Sequence, residues 1–274
     1  MDELLLNPAF QAAIVPFAIA LAAGFLLKYA GWHWTGLAVV LGFYASVSLI
    51  TGFEFTPLSS TRKIILLGMI AAGVGLTLDL LNLKQRHLLP LLAVFGAGAL
   101  LWVIWPPLIR MEGAEKWLYG IGGSAYVAWL LASLEGLRSR ALRADAALFN
   151  LTLGTGLAAM MGASALLGQF AAALAAAIGA FLLLSSFKKT LPVGFIMLLP
   201  VALIAGLIGV GALIYAKLPW YCLPILAAIP LLARIPLPGK PPLWGQALAL
   251  VLMTLPGAAG AIYVAWKIAG APPM

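Results

Sequence analysis

The residues whose types and spacing are best suited to hold a solute occur twice. Gly120-Ile121-Gly122-Gly123-Ser124-Ala125-Tyr126-Val127-Ala128-Trp129 recurs as Gly257-Ala258-Ala259-Gly260-Ala261-Ile262-Tyr263-Val264-Ala265-Trp266. Pro256 stands immediately before the second copy. Proline removes a backbone donor and clashes with the preceding turn, which frees carbonyls near Leu252 and Met253 for water or a ligand. Paired Gly/Pro interruptions in two halves of a chain point to a substrate site, with Tyr126 and Tyr263 offering hydroxyls. The competing account is helix packing, because small residues let membrane helices approach closely. The candidate binding residues are Gly120, Gly123, Tyr126, Pro256, Gly257, Gly260 and Tyr263, and the two tyrosines are expected at equivalent places near the interface between the halves.

Asp79 and Glu135 are the acids assigned to apolar spans, setting aside Glu115 at a span edge. Asp79 has Arg86 two turns on, and Glu135 has Arg138 at i+3, where helical side chains meet. Interfacial ion pairs are the plain reading, and a gate between conformations is the functional one. No mid-membrane carboxylate is visible to carry a proton. Ser59-Ser60-Thr61-Arg62-Lys63 has the groups to bind phosphate, but a polar turn starting a helix is simpler, and the corresponding Lys188-Lys189 keeps only Thr190 as a hydroxyl. Phosphate-loop, zinc-protease and nucleophile-elbow signatures are absent. His33, between Trp32 and Trp34, suits interfacial anchoring, and His87 suits a solvated loop. The expectation is therefore a protein that is not an enzyme, with no catalytic residue, metal or cofactor.

The elements that must position these residues follow from composition. The chain has 274 residues, 64% hydrophobic and 9% charged, against about 25% charged for soluble domains. Spans of about 20 apolar residues read as helices at about 8–29, 35–53, 63–83, 88–105, 114–135, 146–166, 169–187, 192–216, 219–234 and 247–268. The expected fold is all-α, with ten transmembrane helices and no soluble domain. Gly168-Gln169 is the thin break between the sixth and seventh spans. The lone Cys222 excludes an intrachain disulfide, and Asp2 and Glu3 replace the basic start of a signal peptide.

Further anchors keep the order of the first pair. Gly73-Val74-Gly75 returns as Gly209-Val210-Gly211, Leu89-Pro90 as Leu223-Pro224, and Pro106-Pro107-Leu108 as Pro241-Pro242-Leu243, at offsets of 134 to 136. The pattern implies duplicated five-helix repeats, 1–139 and 140–274. Five crossings per half make the second inverted relative to the first, the arrangement of many secondary transporters. In architecture the chain resembles the drug/metabolite transporter superfamily. Its expected outside termini depart from the cytoplasmic termini usual there, and no family motif or functional residue carries over.

With ten spans and the termini outside, the inside loops hold Lys28, Lys84, Arg86, Arg138, Arg140, Arg143, Lys188, Lys189, Arg234 and Lys240. Arg62, Lys63, Arg110, Lys116, Lys217 and Lys267 lie outside, so the basic excess is cytoplasmic. The Arg138–Arg143 cluster suits anionic lipid headgroups. Expected partners are the lipid bilayer, a small neutral or amphipathic solute and other membrane proteins, but not nucleic acid. A bacterial cytoplasmic (inner) membrane is the expected location. The reading of transporter or exporter stands beside that of a non-catalytic subunit or assembly protein of a larger complex. A reporter fused to the N-terminus checks the topology: it should be active only on the non-cytoplasmic side, and cytoplasmic activity would reverse every loop assignment.

Overall fold

A computed structural model describes residues 7–29, 31–81, 85–162, 164–187, 191–237, 239 and 241–269, with backbone alone for Trp32, His33, Gln85 and Ala269. Asp2, Glu3, Lys84, Lys188, Lys189, Thr190, Lys240 and the His33 side chain lie outside the described residues. Among those described there is no strand. Apolar helices follow one another as α1 (Phe10–Leu27), α2 (Leu37–Ile50), α3 (Ser60–Leu81), α4 (Gln85–Leu108) and α5 (Gly113–Glu135). The second half continues with α6 (Ala141–Met161), α7 (Ala165–Phe187), α8 (Phe195–Tyr215), α9 (Cys222–Leu232) and α10 (Leu243–Ala269).

Eight of these are long and apolar enough to cross a membrane. The others are α2, with 14 residues, and α9, whose two short pieces join at Ala228. Pro230 cannot donate to the turn before it, which accounts for the joint. A membrane core is about 30 Å thick and a helix rises about 1.5 Å per residue, so neither crosses as a helix alone. The turn Trp32–Thr35 lengthens α2 through Gly36, which is itself in helical conformation.

The helices alternate in direction. At one end of the bundle, Asp79 meets the start of α8, and the Arg143 guanidinium donates to the Ala233 and Ile235 carbonyls after α9. At the other end, Ser60 Oγ and Tyr215 Oη lie 2.9 Å apart, Lys63 Nζ donates to the Trp102 carbonyl, and Ser46 Oγ donates to the Gln11 carbonyl. Gly162, closing α6, sits against the Ala216 carbonyl after α8. Residues 216 to 233 therefore run from the second end to the first.

Small residues set the closest packing. A Cβ on Gly156 would meet Ala171 Cβ at 3.0 Å, and one on Gly168 would lie 3.0 Å from the Gly156 carbonyl oxygen. Gly168 is thus inside α7, holding it against α6, and not in the loop expected there. The chain turns earlier, at Gly162, which caps α6. The start of α6 also differs: the helix begins at Ala141 instead of 146, which brings Asp145 into it. α8 is the central helix, buried along almost its whole length. It packs on α3, α5 and α6, while α7 packs on α1, α2 and α6 and α10 lies along α6.

The α3–α8 contact depends on one glycine of the Gly73-Val74-Gly75 motif. A Cβ on Gly75 would collide with the Phe195 backbone carbonyl, whereas one on Gly73 would meet nothing within 4 Å. We expect Gly75→Ala to destabilise the folded protein by about 1–3 kcal/mol through overpacking, and Gly73→Ala to be neutral or to stabilise by up to about 1 kcal/mol. Denaturant unfolding in detergent micelles measures both, and equal effects would contradict the contact.

Candidate functional site

Two constellations contain the residues singled out in the sequence. The first is an apolar pocket of about 440 Å³ between α5, α9 and the end of α8. α5 opens with a helical turn, passes through a π-helical turn at Leu118–Gly122, and resumes as α-helix at Gly123. Such π-bulges inside helices are frequent at functional sites. The Gly-rich interruption thus takes the form of a local widening of the helix. Tyr119, Gly123, Tyr126 and Trp129 line the pocket from α5, facing Leu223 and Ala227 of α9. Trp129 Nε1 donates to the Ala227 carbonyl at 3.0 Å, which ties the two walls together and satisfies the indole donor.

Tyr126 is 7% exposed. Its hydroxyl is buried without a hydrogen-bond partner, as is that of Ser124. The Tyr126 hydroxyl lies against Gly209, where a Cβ would come within 3.4 Å. Gly123 is pressed between Leu100 and Val210, and Gly120 is buried beside Leu108. A volume of this size lies within the range of small-molecule sites, and its walls suit an apolar or amphipathic solute. A polar cavity reaching the midplane, which would suit a hydrophilic cargo, is not what these residues form.

The second copy is arranged differently. Pro256 is exposed within α10, which runs unbroken from Leu243 to Ala269. Gly257 is pressed against Ile229, and a Cβ on Gly260 would stand 3.3 Å from the Ile225 side chain. Both let α9 lie close to α10. Tyr263 is 56% exposed, its ring 6.2 Å from that of Trp266. The structure therefore does not bring Tyr126 and Tyr263 to equivalent places. The buried stripe of α10 runs Thr254, Ala258, Ala261, Ala265 and that of α5 runs Gly123, Val127, Leu130, Leu134. At the offset of 137 these stripes are one residue out of phase, a rotation of ~100° on a helix.

The second constellation is built on Asp79, near the end of α3. Its Oδ1 accepts from Phe195 N–H at 2.9 Å and its Oδ2 from Ile196 N–H at 3.0 Å. Arg138, following α5, approaches Oδ1 at 3.4 Å and lies over the Phe195 ring at 4.1 Å. The partner is thus Arg138 and not the Arg86 expected from spacing; Arg86 Nε donates to His87 Nε2. Asp79 acts as the N-cap that Gly194 lacks, since a Cβ on Gly194 would stand 2.6 Å from Oδ2. Glu135 is also buried, one helical turn before Arg138. Arg234 donates to the Ser133 carbonyl, so α3, α5, α8 and the residues after α9 meet at this end.

The remaining polar features are engaged locally. Arg62 donates to the Pro57 carbonyl and approaches Glu54 at 3.7 Å, and Ser59 Oγ accepts from Arg62 N–H. This is the polar turn starting α3. Asn150 joins α6 to α10 through the Val251 carbonyl and Thr254. Among the described residues no three His, Cys, Asp or Glu side chains gather as metal ligands. The apolar run that marks this span starts at 146 and leaves Asp145 in the preceding loop, whereas α6 begins at Ala141 and includes it.

No protein-family model matches the chain, and no curated protein matches it. Fold and composition define a multi-pass, membrane-type helical protein.

Asp79→Ala would remove the acceptor from two helix-start N–H groups and the partner of Arg138. Because Arg138 is about a third exposed, we expect a loss of about 2–3 kcal/mol, the low side for a broken buried pair. Unfolding in micelles tests this, with Arg86→Ala expected to change stability by less than about 0.5 kcal/mol.

Proposed function

We propose that this protein is a non-enzymatic transporter of a small apolar or amphipathic solute, with the pocket between α5 and α9 as its binding site. The observation that carries the reading is the location of that pocket. One wall is a π-bulged helix of the first half, and the other is a short, proline-jointed helix of the second. Interrupted helices meeting at a repeat interface are how many transporters form their sites.

The architecture supports this reading in a further way. α1 packs on α2 as α6 packs on α7, α4 on α5 as α9 on α10, and α3 on its own counterpart α8. These pairings, the ordered sequence anchors and the alternating directions support two inverted five-helix repeats crossing ten times, with residues outside α9 completing the ninth crossing. The halves have diverged: α6 lies along α10, with no comparably extensive contact between α1 and α5. The end bearing Arg138, Arg140, Arg143 and Arg234 is assigned to the cytoplasm of a bacterial inner membrane by the positive-inside rule. Arg140 is exposed there and available to anionic headgroups.

A second reading, a non-catalytic subunit of a larger membrane complex, draws on the same flank. Trp129, Trp220 and Leu231 line the pocket and are each more than a third exposed, so a partner helix could cover them.

Gly122 lines the pocket, and a Cβ there would meet only Leu118, at 3.9 Å. Gly122→Phe should fill the pocket without moving backbone. We expect it to cut uptake by reconstituted vesicles, assayed against a panel of neutral and amphipathic metabolites, by about tenfold or more. That corresponds to forfeiting about 1.5–3 kcal/mol of solute burial. No uptake by the unaltered protein, together with co-purification of a stoichiometric membrane partner, would replace transport with the subunit reading.

A further inference from the structure

Asp145 is the buried ionisable group that neither constellation uses. It is the fifth residue of α6 and has no exposed surface. Neither Oδ1 nor Oδ2 has a hydrogen-bond partner, and nor does the buried hydroxyl of Ser185 on α7. Ser185 is nevertheless close enough to act on the carboxyl. Around this end of α6 the side chains are apolar: Leu142, Ala146, Leu182, Ala247 and Leu250 form one packed cluster.

Among the described residues, the neighbouring charges are committed elsewhere or remote, and Arg140, just before α6, is exposed. Arg143, on the same helix, donates to the Ala233 and Ile235 carbonyls. Arg234, after α9, donates to Ser133, and Arg138 pairs with Asp79. Glu135 ends α5 at this end of the bundle. Lys28, beyond the α1 that packs on α7, sits over the Phe25 and Tyr29 rings. α7 and α8 carry no charged residue, and α10 carries only Lys267, near its far end. Lys188 and Lys189, which follow α7 in sequence, and Lys240, which precedes α10, lie outside the described residues.

We propose that Asp145 is a proton-binding site, its carboxyl holding one H⁺ while α6 and α7 are packed together and releasing it, as carboxylate plus H⁺, when they part at this end. Among the described residues no counter-charge reaches the carboxyl, and an ion so buried is far costlier than the neutral acid. Protonation needs only the oxygen already present, and Ser185 offers a hydroxyl to either form. In a membrane-spanning segment such a carboxyl is a functional-site hypothesis by default. Parting the helices would admit water, which solvates the ion and reverses the preference. The proton site stands by itself; its coupling to solute movement rests on the transport reading above.

Infrared spectroscopy of the full-length protein in micelles at neutral pH tests the site. We expect a protonated-carboxyl C=O band that moves on exchange into deuterium oxide, disappears in Asp145→Asn, and changes frequency in Ser185→Ala. Should Asp145→Asn not fold, the Ser185→Ala change and the deuterium shift of the unaltered protein decide. A spectrum with only ionised carboxylate attributable to Asp145, or a band indifferent to both substitutions, overturns the proposal. Vesicles loaded with a pH indicator separate the two readings. Proton entry accompanying solute uptake, lost in Asp145→Asn, supports coupling; uptake without proton entry overturns the coupling. An intact infrared band without solute uptake by the unaltered protein overturns transport while sustaining the proton site.

Discussion

The bundle depends on a carboxylate ending one helix at the start of another. α8 is enclosed by the rest of the chain, so its first N–H groups have no water to fall back on, and in a membrane every such group needs an internal partner. Asp79 supplies two of them from α3, and the Gly194 carbonyl accepts from Met197 and Leu198 N–H. The negative side chain also lies at the positive end of the helix dipole. Its charge is shared with Arg138, which brings the end of α5 to the same point. Three helices are thus registered by one side chain, and the glycines at 75 and 194 exist there because the acid and the backbone come too close for anything larger.

Fixing α3 against α8 has consequences at the other end and beside it. Ser60 and Tyr215 meet where α3 begins and α8 ends, so the pair is tied at both ends and forms the central axis of the bundle. α5 is attached to that axis on one side and to α9 on the other through Trp129. α9 is short and jointed, and the residues before it include Lys217 in a left-handed conformation. The pocket therefore opens between the most firmly seated helices and the least regular one. This places the apolar pocket where a change of helix packing disturbs the fewest backbone hydrogen bonds.

Much of this was legible because membrane helices are read from composition. Continuous apolar runs and their polar breaks located the long apolar helices among the described residues, and Gly123 and Tyr126 of the Gly-rich motif line the pocket wall. What was not legible depended on the third dimension. Gly168 looked like a loop residue because a glycine that ends a helix and one that lets two helices touch have the same letter; only the opposing Gly156 distinguishes them. Helical spacing, a local rule, pairs Asp79 with Arg86, whereas the observed partners, Arg138 and the Phe195 and Ile196 N–H groups, arrive from distant sequence. The likeness between Tyr126 and Tyr263 is real in sequence, but the buried stripes of their helices differ in phase, so identical letters face opposite environments.

Asp145 illustrates the same limit from the other side. Flanked by Arg140 and Arg143, it reads as part of a charged loop, and in water an Arg-Asp-rich stretch of that kind usually is one. Here α6 begins before it, Arg143 turns to the carbonyls at the end of α9, and the acid is drawn inward among leucines and alanines. The neighbouring cation that would ordinarily neutralise it is spent on holding α9. The same stretch thus combines a firmly bonded base with an unbonded acid. That imbalance is costly in a purely structural element, and it locates at α6 and α7 the contact whose separation would change the charge of the core.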